Sequence, residues 1–324
     1  MRSVWLLVLI AAAGCQGDPA PALTGGARPV PAAVPARVAA IGDTAHLAPA
    51  LQRAFDPAGD FEPLPPPGPH DWLASNPEAP QTFAAFLSAD TRVPGAARHV
   101  LYLLPLGTFP DTAPPVAALA RIVGAFYALE VRVLPAVALA EVRATTRRHS
   151  ATGQRQLLAP DVLAWLTTRL PADAFGLMAI TMEDLYPQAS WSFVFGMASL
   201  GERVGVQSFA RQDPAFFGEP RAEGWRALQL RRATWTLVHE VAHMFGLGHC
   251  TYWSCVVAGS NHQAEADARP LHVCPVCLRK LQSSIGFDPV AREEALATVL
   301  GALGIADEAA WSERRARWIR DGRH

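Results

Sequence analysis

His239 and His243 stand four residues apart in the run HEVAHMFGLGHC, which spans His239 to Cys250. On a helix that spacing sends both imidazoles from one face, about one turn apart, where they suit two ligands of a single ion. Glu240 sits beside the first histidine but off that face. Its carboxylate is badly placed to join the metal and well placed to take a proton from a water held there. Gly246 follows three residues after His243. Without a Cβ it can take the left-handed conformation that ends a helix and turns the chain back, and His249 can then return as the third ligand. Three neutral histidines leave one position of a tetrahedral Zn2+ open, the arrangement of catalytic rather than structural zinc. A bare HExxH is often no more than an amphipathic helix surface; the added glycine and third histidine make this one specific.

Cys250 and Cys255 form a C-x4-C pair, and Cys274 and Cys277 form a C-x2-C pair after a gap of eighteen residues. That is the spacing of a four-thiolate structural zinc site. Disulfides, within each pair or across the gap, remain an alternative that spacing leaves open. A redox role for Cys274 and Cys277 is disfavoured, because the pair lies in no thioredoxin-like strand and helix context.

The whole motif, HExxHxxGxxHC with its C-x4-C and a later CxxC, resembles the archaemetzincins, a family of zinc metallopeptidases with a catalytic and a structural zinc side by side. The resemblance extends upstream to His70-Asp71-Trp72-Leu73, Gln81-Thr82-Phe83, Tyr102 to Gly107 and Phe193 to Ala198, so it covers roughly Pro65 to Leu281. It implies an α/β fold: a compact metzincin-like domain with a mixed twisted sheet, an active-site helix carrying HExxH, a zinc knuckle and C-terminal helices. It also implies two Zn2+ per chain, one on His239, His243 and His249 and one on Cys250, Cys255, Cys274 and Cys277. A peptide or protein is the implied substrate. One position departs from the pattern: the family has a methionine beneath the catalytic zinc where this chain has Val257, which is apolar but shorter and branched at Cβ.

The elements that must position these residues are legible in outline. The 324 residues give room for one large domain or two small ones. With 28 Lys and Arg against 29 Asp and Glu there is no electrostatic case for nucleic acid. Val100 to Leu104 reads as a buried strand, Val116 to Leu129 as a helix and Val131 to Leu134 as a second strand, a crossover unit. Asp161 to Leu170 reads as a helix and Phe175 to Met182 as a third strand. Trp191, Phe193, Phe195 and Met197 alternate along one face and pair as a hairpin with Val204 to Ser208. In the family this region borders the cleft and can pair with an extended peptide. Glu223 to Phe245 is the long helix bearing His239 and Glu240, with Trp225, Leu228, Trp235, Val238 and Ala242 as core contacts. Pro275 to Ser284, Pro289 to Leu303 and Glu308 to Arg320 are further helices, the last mostly exposed.

Met1 to Cys15 has Arg2, an apolar run from Val4 to Ala13 and a small-residue end, Ala12-Ala13-Gly14-Cys15. The run is too short to span a bilayer and has the layout of a secretory signal. A cysteine directly after Ala-Gly resembles the bacterial lipoprotein box, which implies lipidation of Cys15 and a place in the bacterial cell envelope. By the sorting rule that this resemblance implies, Gln16, not being aspartate, disfavours retention at the inner membrane, which leaves the outer membrane or a periplasm-facing place. The expected organisation is a signal peptide with lipobox (1–15), a Pro/Ala-rich tether (16–40), an N-terminal extension of the catalytic domain (41–97), the peptidase domain (98–287) and C-terminal helices (288–324). A monomer is expected.

The sequence thus supports a zinc metallopeptidase on a lipid anchor, in which Glu240 is the general base acting on a zinc-activated water. The alternative is a zinc-stabilised peptide-binding lipoprotein with weak or no catalysis, for which Val257 is the support. Intact Glu240 argues against it. His46, His70, His99, His149, His262, His272 and His324 lack a partner at ligand spacing, and Asp71 and Trp72 have no role assignable from their chemistry.

Overall fold

The computed structural model describes residues 7–11, 34–89, 91 and 93–323. Nine strands make one sheet: β1 (Leu7–Ala11), β2 (Val100–Leu106), β3 (Val131–Val133), β4 (Thr146–Arg148), β5 (Arg155–Leu158), β6 (Ala174–Thr181), β7 (Asp184–Tyr186), β8 (Val194–Ser199) and β9 (Val204–Ser208). Their order is β3-β2-β6-β9-β8-β7-β5-β4, with β1 added to β8 off this path. Pairing is parallel from β3 through β2 and β6 to β9, and again between β5 and β7. It is antiparallel where β8 meets β9, β7 and β1, and between β4 and β5. The sheet is therefore mixed, as expected.

The helices are α1 (Val34–Ile41), α2 (Pro49–Phe55), α3 (Trp72–Ser75), α4 (Phe83–Ser88), α5 (Val116–Tyr127), α6 (Ala159–Thr167), α7 (Trp225–Met244), α8 (Gln263–Asp267), α9 (Pro275–Ile285), α10 (Pro289–Ala302) and α11 (Ala306–Asp321). Every residue of β2, β6 and β9 is buried. Such strands read as continuous apolar runs because helices cover both faces. The period of two then sorts their side chains into two cores. Leu101, Leu103, Met178 and Ile180 join α5 and α7 on one side. Val100, Tyr102, Leu104, Leu177 and Ala179 join α6 on the other.

Three expectations need correction. Leu228 is not a core contact; it is 42% exposed, because the first turn of α7 is solvent-facing and the helix becomes buried at Gln229 and Leu230. The alternation through Phe193, Phe195 and Met197 is broken. Ile10 of β1 pairs with Gly196 and Ala11 with Val194, skipping Phe195, the signature of a bulge. Phe193 and Phe195 consequently lie in the α7 core while Met197 lies in the α6 core. Within residues 34–41, α1 buries Arg37 and Ala40. Finally, α11 is not simply exposed. Ala309, Ser312, Ala316 and Ile319 are buried, and the buried Arg315 guanidinium bonds Asp60 at 2.8 Å and the Ala54 carbonyl at 3.1 Å.

The extension packs into the domain that it precedes. The Leu64 N–H donates to the Tyr252 carbonyl at 3.3 Å, and the Ser254 N–H to the Glu62 carbonyl at 2.8 Å. Among the described residues no helix is long and apolar enough to cross a membrane. Cys15 lies outside the described residues.

Candidate active site and metal centres

α7 carries His239, Glu240 and His243 in its last turns, where the helix is buried on all sides. It ends as the glycine signal implies: Gly246 has φ +84°, and its N–H returns to the His243 carbonyl at 2.9 Å. The reversal brings His249 back, with its ring centroid 5.2 Å from that of His239 and 5.1 Å from that of His243.

Each histidine is aimed by a bond from its Nδ1. His239 Nδ1 lies 2.8 Å from the Val256 carbonyl and His243 Nδ1 lies 2.6 Å from the Leu247 carbonyl. A carbonyl has no proton to give, so both Nδ1 atoms must donate, and the lone pair of each neutral ring is left on Nε2. Burial, with the neighbouring histidines, drives His239 well below the ordinary histidine range and lowers His243 to about 3, which keeps both rings neutral. His249 Nδ1 meets the Glu78 carboxylate at 2.8 Å. The Nε2 atoms converge: those of His239 and His243 are 2.9 Å apart, and the buried His249 Nε2 has no hydrogen-bond partner. Lone pairs facing one another without protons repel unless a cation lies between them. A tetrahedral Zn2+ with nitrogens at about 2.0–2.1 Å has ligand edges near 3.3 Å, close to what is found.

Glu240 is fully buried beside this group, and neither carboxylate oxygen has a hydrogen-bond partner. Burial raises its pKa well above the usual carboxylate range. A carboxylate in that position is costly unless it serves a nearby cation or proton transfer. It is held against the sheet at Gly196, where a Cβ would come within 2.7 Å of Oε1. Only glycine permits β8 to pass so close.

The sulfurs of Cys250, Cys255, Cys274 and Cys277 all lie within 4.8 Å of one another, and all four cysteines are free and buried. Cys250 Sγ is 3.5 Å from Cys274 Sγ, far from the roughly 2.0 Å of a disulfide and near the roughly 3.8 Å edge of a Zn–thiolate tetrahedron. Hydrogen bonding from the other three thiols pulls Cys250 well below the usual thiol range, while burial holds Cys255 and Cys274 above it. Four buried sulfurs at these separations, none of them in a disulfide, form a donor set that a cation would complete. Residues 256 and 257 link the two centres by their backbone: the Val256 carbonyl lies 2.8 Å from His239 Nδ1, and the carbonyl of the buried Val257 accepts from Cys250 N–H at 3.0 Å.

Comparison with known proteins agrees with this geometry. Residues 163–283 match Peptidase family M54. Archaemetzincin-2 of Pongo abelii is 39% identical over 276 residues, covering 76% of each chain. The chain belongs to the archaemetzincin family. It is accordingly a zinc metallopeptidase. Archaemetzincin-1 of Homo sapiens is 35% identical over 257 residues, which cover 70% of this chain and 51% of that protein. The crystal structure of the archaemetzincin of Methanopyrus kandleri is 28% identical, with a TM-score of 0.45 over 59% of this chain and 98% of that one.

In this peptidase His239, His243 and His249 gather at one centre and Cys250, Cys255, Cys274 and Cys277 at the other. Others were not foreseen. Glu78, Gln81 and Gly196 reach the site from outside the motif, and only Gln81 and Gly196 lie in family-like segments. Trp72 acquires a role through Glu265, whose carboxylate accepts the Trp72 and Asn261 N–H groups at 3.0 and 2.7 Å, and Asp71 acquires one through His262. Asp71, His262 and Glu265 also converge, but their polar atoms are spent. His262 Nδ1 accepts from Glu265 N–H at 3.2 Å, which leaves Nε2–H to donate to Asp71 at 3.1 Å. This trio latches the extension onto α8 and offers no free ligand set.

Proposed function

We propose that the peptidase hydrolyses extended peptides with one Zn2+ held by His239, His243 and His249 and with Glu240 as general base. The observation that carries this is the meeting of proton-free Nε2 atoms with a buried carboxylate that has no other partner. A Zn2+ held there would supply acidification of a water and polarisation of the scissile carbonyl. Glu240 accepts the water's proton and hands it to the departing amine. Its burial favours the protonated form, while a nearby cation favours the ionised one, so the same group can take a proton and give it up. The carbonyls of Val256 and Leu247 fix the tautomers that leave Nε2 free. A second Zn2+ on the four cysteines would hold Cys250 and, through it, the adjoining His249.

The substrate's backbone would pair with the edge of β8, which passes Glu240 at Gly196. Support comes from β1, which already pairs antiparallel with that edge, from Leu7 opposite Ser199 to Ala11 opposite Val194. The lipoprotein box resemblance around Cys15 supports a mature protein in the bacterial cell envelope, anchored by a lipid on that cysteine. Processing before Cys15 would remove β1 and leave the β8 edge open to substrate. Cys15→Ser should then block processing or release the protein from membranes.

The mechanism is tested with Glu240→Gln. Zinc content and melting temperature should match the parent while hydrolysis of a peptide library disappears. Equal turnover in the two proteins would refute the assignment of the base.

A further inference from the structure

Of the three bonds that aim the histidines, one differs in kind. His239 and His243 donate to backbone carbonyls of the motif's own neighbourhood, but His249 donates to a carboxylate that arrives from 171 residues upstream. Both oxygens of Glu78 are within reach of His249 Nδ1, at 2.8 and 3.0 Å. Glu78 Oε1 also accepts the indole N–H of Trp72 at 2.9 Å, and that indole meets the His249 ring edge-on at 5.0 Å. The indole is itself fixed, because a Cβ on Gly259 would fall 2.4 Å from its Cδ1.

The segment around Glu78 is clamped to the catalytic loop. Gln81 accepts the Gly248 N–H and donates to the Gly246 carbonyl, both at 3.1 Å. Lys280, on the helix that carries Cys277, holds Gln81 in turn by bonds of 2.6 and 2.9 Å. Residues 72–81 therefore have a fixed position relative to His249. They lie outside the stretch that matches Peptidase family M54.

Resting on the reading that the three histidines hold one metal ion, we infer that Glu78 is a positioning residue for that ion. Its carboxylate selects the His249 tautomer and rotamer and lends a full negative charge to the third ligand, where the other two receive only a carbonyl dipole. A hydrogen bond to an ionised acceptor is roughly twice as strong as a neutral one. Partners of this type typically change metal affinity about 10–100-fold. The affinity of the histidine site is thus set partly by the N-terminal extension.

The test uses the purified full chain loaded with Co2+, whose thiolate charge-transfer absorption distinguishes the cysteine site from the histidine site. Each site's affinity is measured by competition with a chelator in the parent, Glu78→Gln and Glu78→Ala. Glu78→Gln keeps the size and an acceptor oxygen but removes the charge. It should weaken the histidine site about tenfold, and Glu78→Ala by up to about 100-fold, with the cysteine site unchanged. Unchanged histidine-site affinity in both variants would overturn the inference, as would equal weakening at both sites, which marks a general structural role. A parent that binds Co2+ only at its cysteines would overturn the histidine site itself, and with it this inference.

Discussion

Replacing Gly196 by alanine puts a methyl group where Glu240 now lies. The new Cβ would sit 2.7 Å from Oε1, 2.8 Å from Cγ and 2.9 Å from Cδ, against 3.4 Å or more for ordinary contact. Something must move by 0.5 to 0.7 Å, the difference between those figures. β8 is held through Gly196 opposite Gln207 of β9, and α7 is buried on all sides around Glu240, so the side chain of Glu240 is the softest element. Its carboxylate has no hydrogen bond to lose on rotating away. If the backbone yielded instead, overpacking would cost about 1–3 kcal/mol. The expected outcome is a displaced base: kcat lower on the order of 100-fold, the usual cost of misplacing a catalytic group by about 1 Å, with zinc retained and stability lowered by no more than about 1 kcal/mol. Peptide hydrolysis, elemental analysis and thermal melting read these three quantities. Gly201→Ala, in a turn with nothing within 4 Å, serves as the control. Turnover within threefold of the parent would show that Glu240 is not braced against β8. Loss of zinc together with activity would refute the reasoning in another way, by showing that α7 moved.

Acid should destabilise the metal-free chain. Because His243 is held down to about 3, between about pH 6.5 and 3 the unfolded chain binds a proton that the folded chain refuses; stability present above the unfolded pKa is lost as pH falls, by about 1.4 kcal/mol per unit from this ring alone. Melting curves of the metal-free protein between pH 7.5 and 5 check this, and a flat profile contradicts a neutral His243. Cys277→Ser should remove one of two zinc ions and depress activity although Cys277 does not touch the histidines; elemental analysis giving one zinc in the parent, with alkylation finding two disulfides, defeats this expectation. Val257→Met should keep both zinc ions and equal or exceed the parent's turnover, and loss of zinc in that variant would mean that the pocket has repacked around valine.

The chemistry was legible because it is local. His239, Glu240, His243, Gly246 and His249 lie within one helix end and its reversal, where a spacing of four and a left-handed glycine define geometry without reference to the rest of the chain. The two cysteine pairs were legible for the same reason. The crossover β2-α5-β3 and the hairpin β8-β9 could be read because long apolar runs and period-two alternation reflect burial directly. Short strands such as β4, β5 and β7 carry too few residues to show a period, and the bulge at Phe195 breaks the pattern that sequence reasoning relies on.

What the sequence determined by itself was the donor set: which atoms could bind zinc, which carboxylate could move a proton and which family the motif resembles. Tertiary structure decided how those donors are aimed. The choice of Glu78 as the acceptor behind His249, the brace of Gly196 against Glu240 and the clamp of Gln81 on Gly246 and Gly248 join residues far apart in the chain. No periodicity links such residues, because each contact depends on the packing of whole elements rather than on the spacing within one.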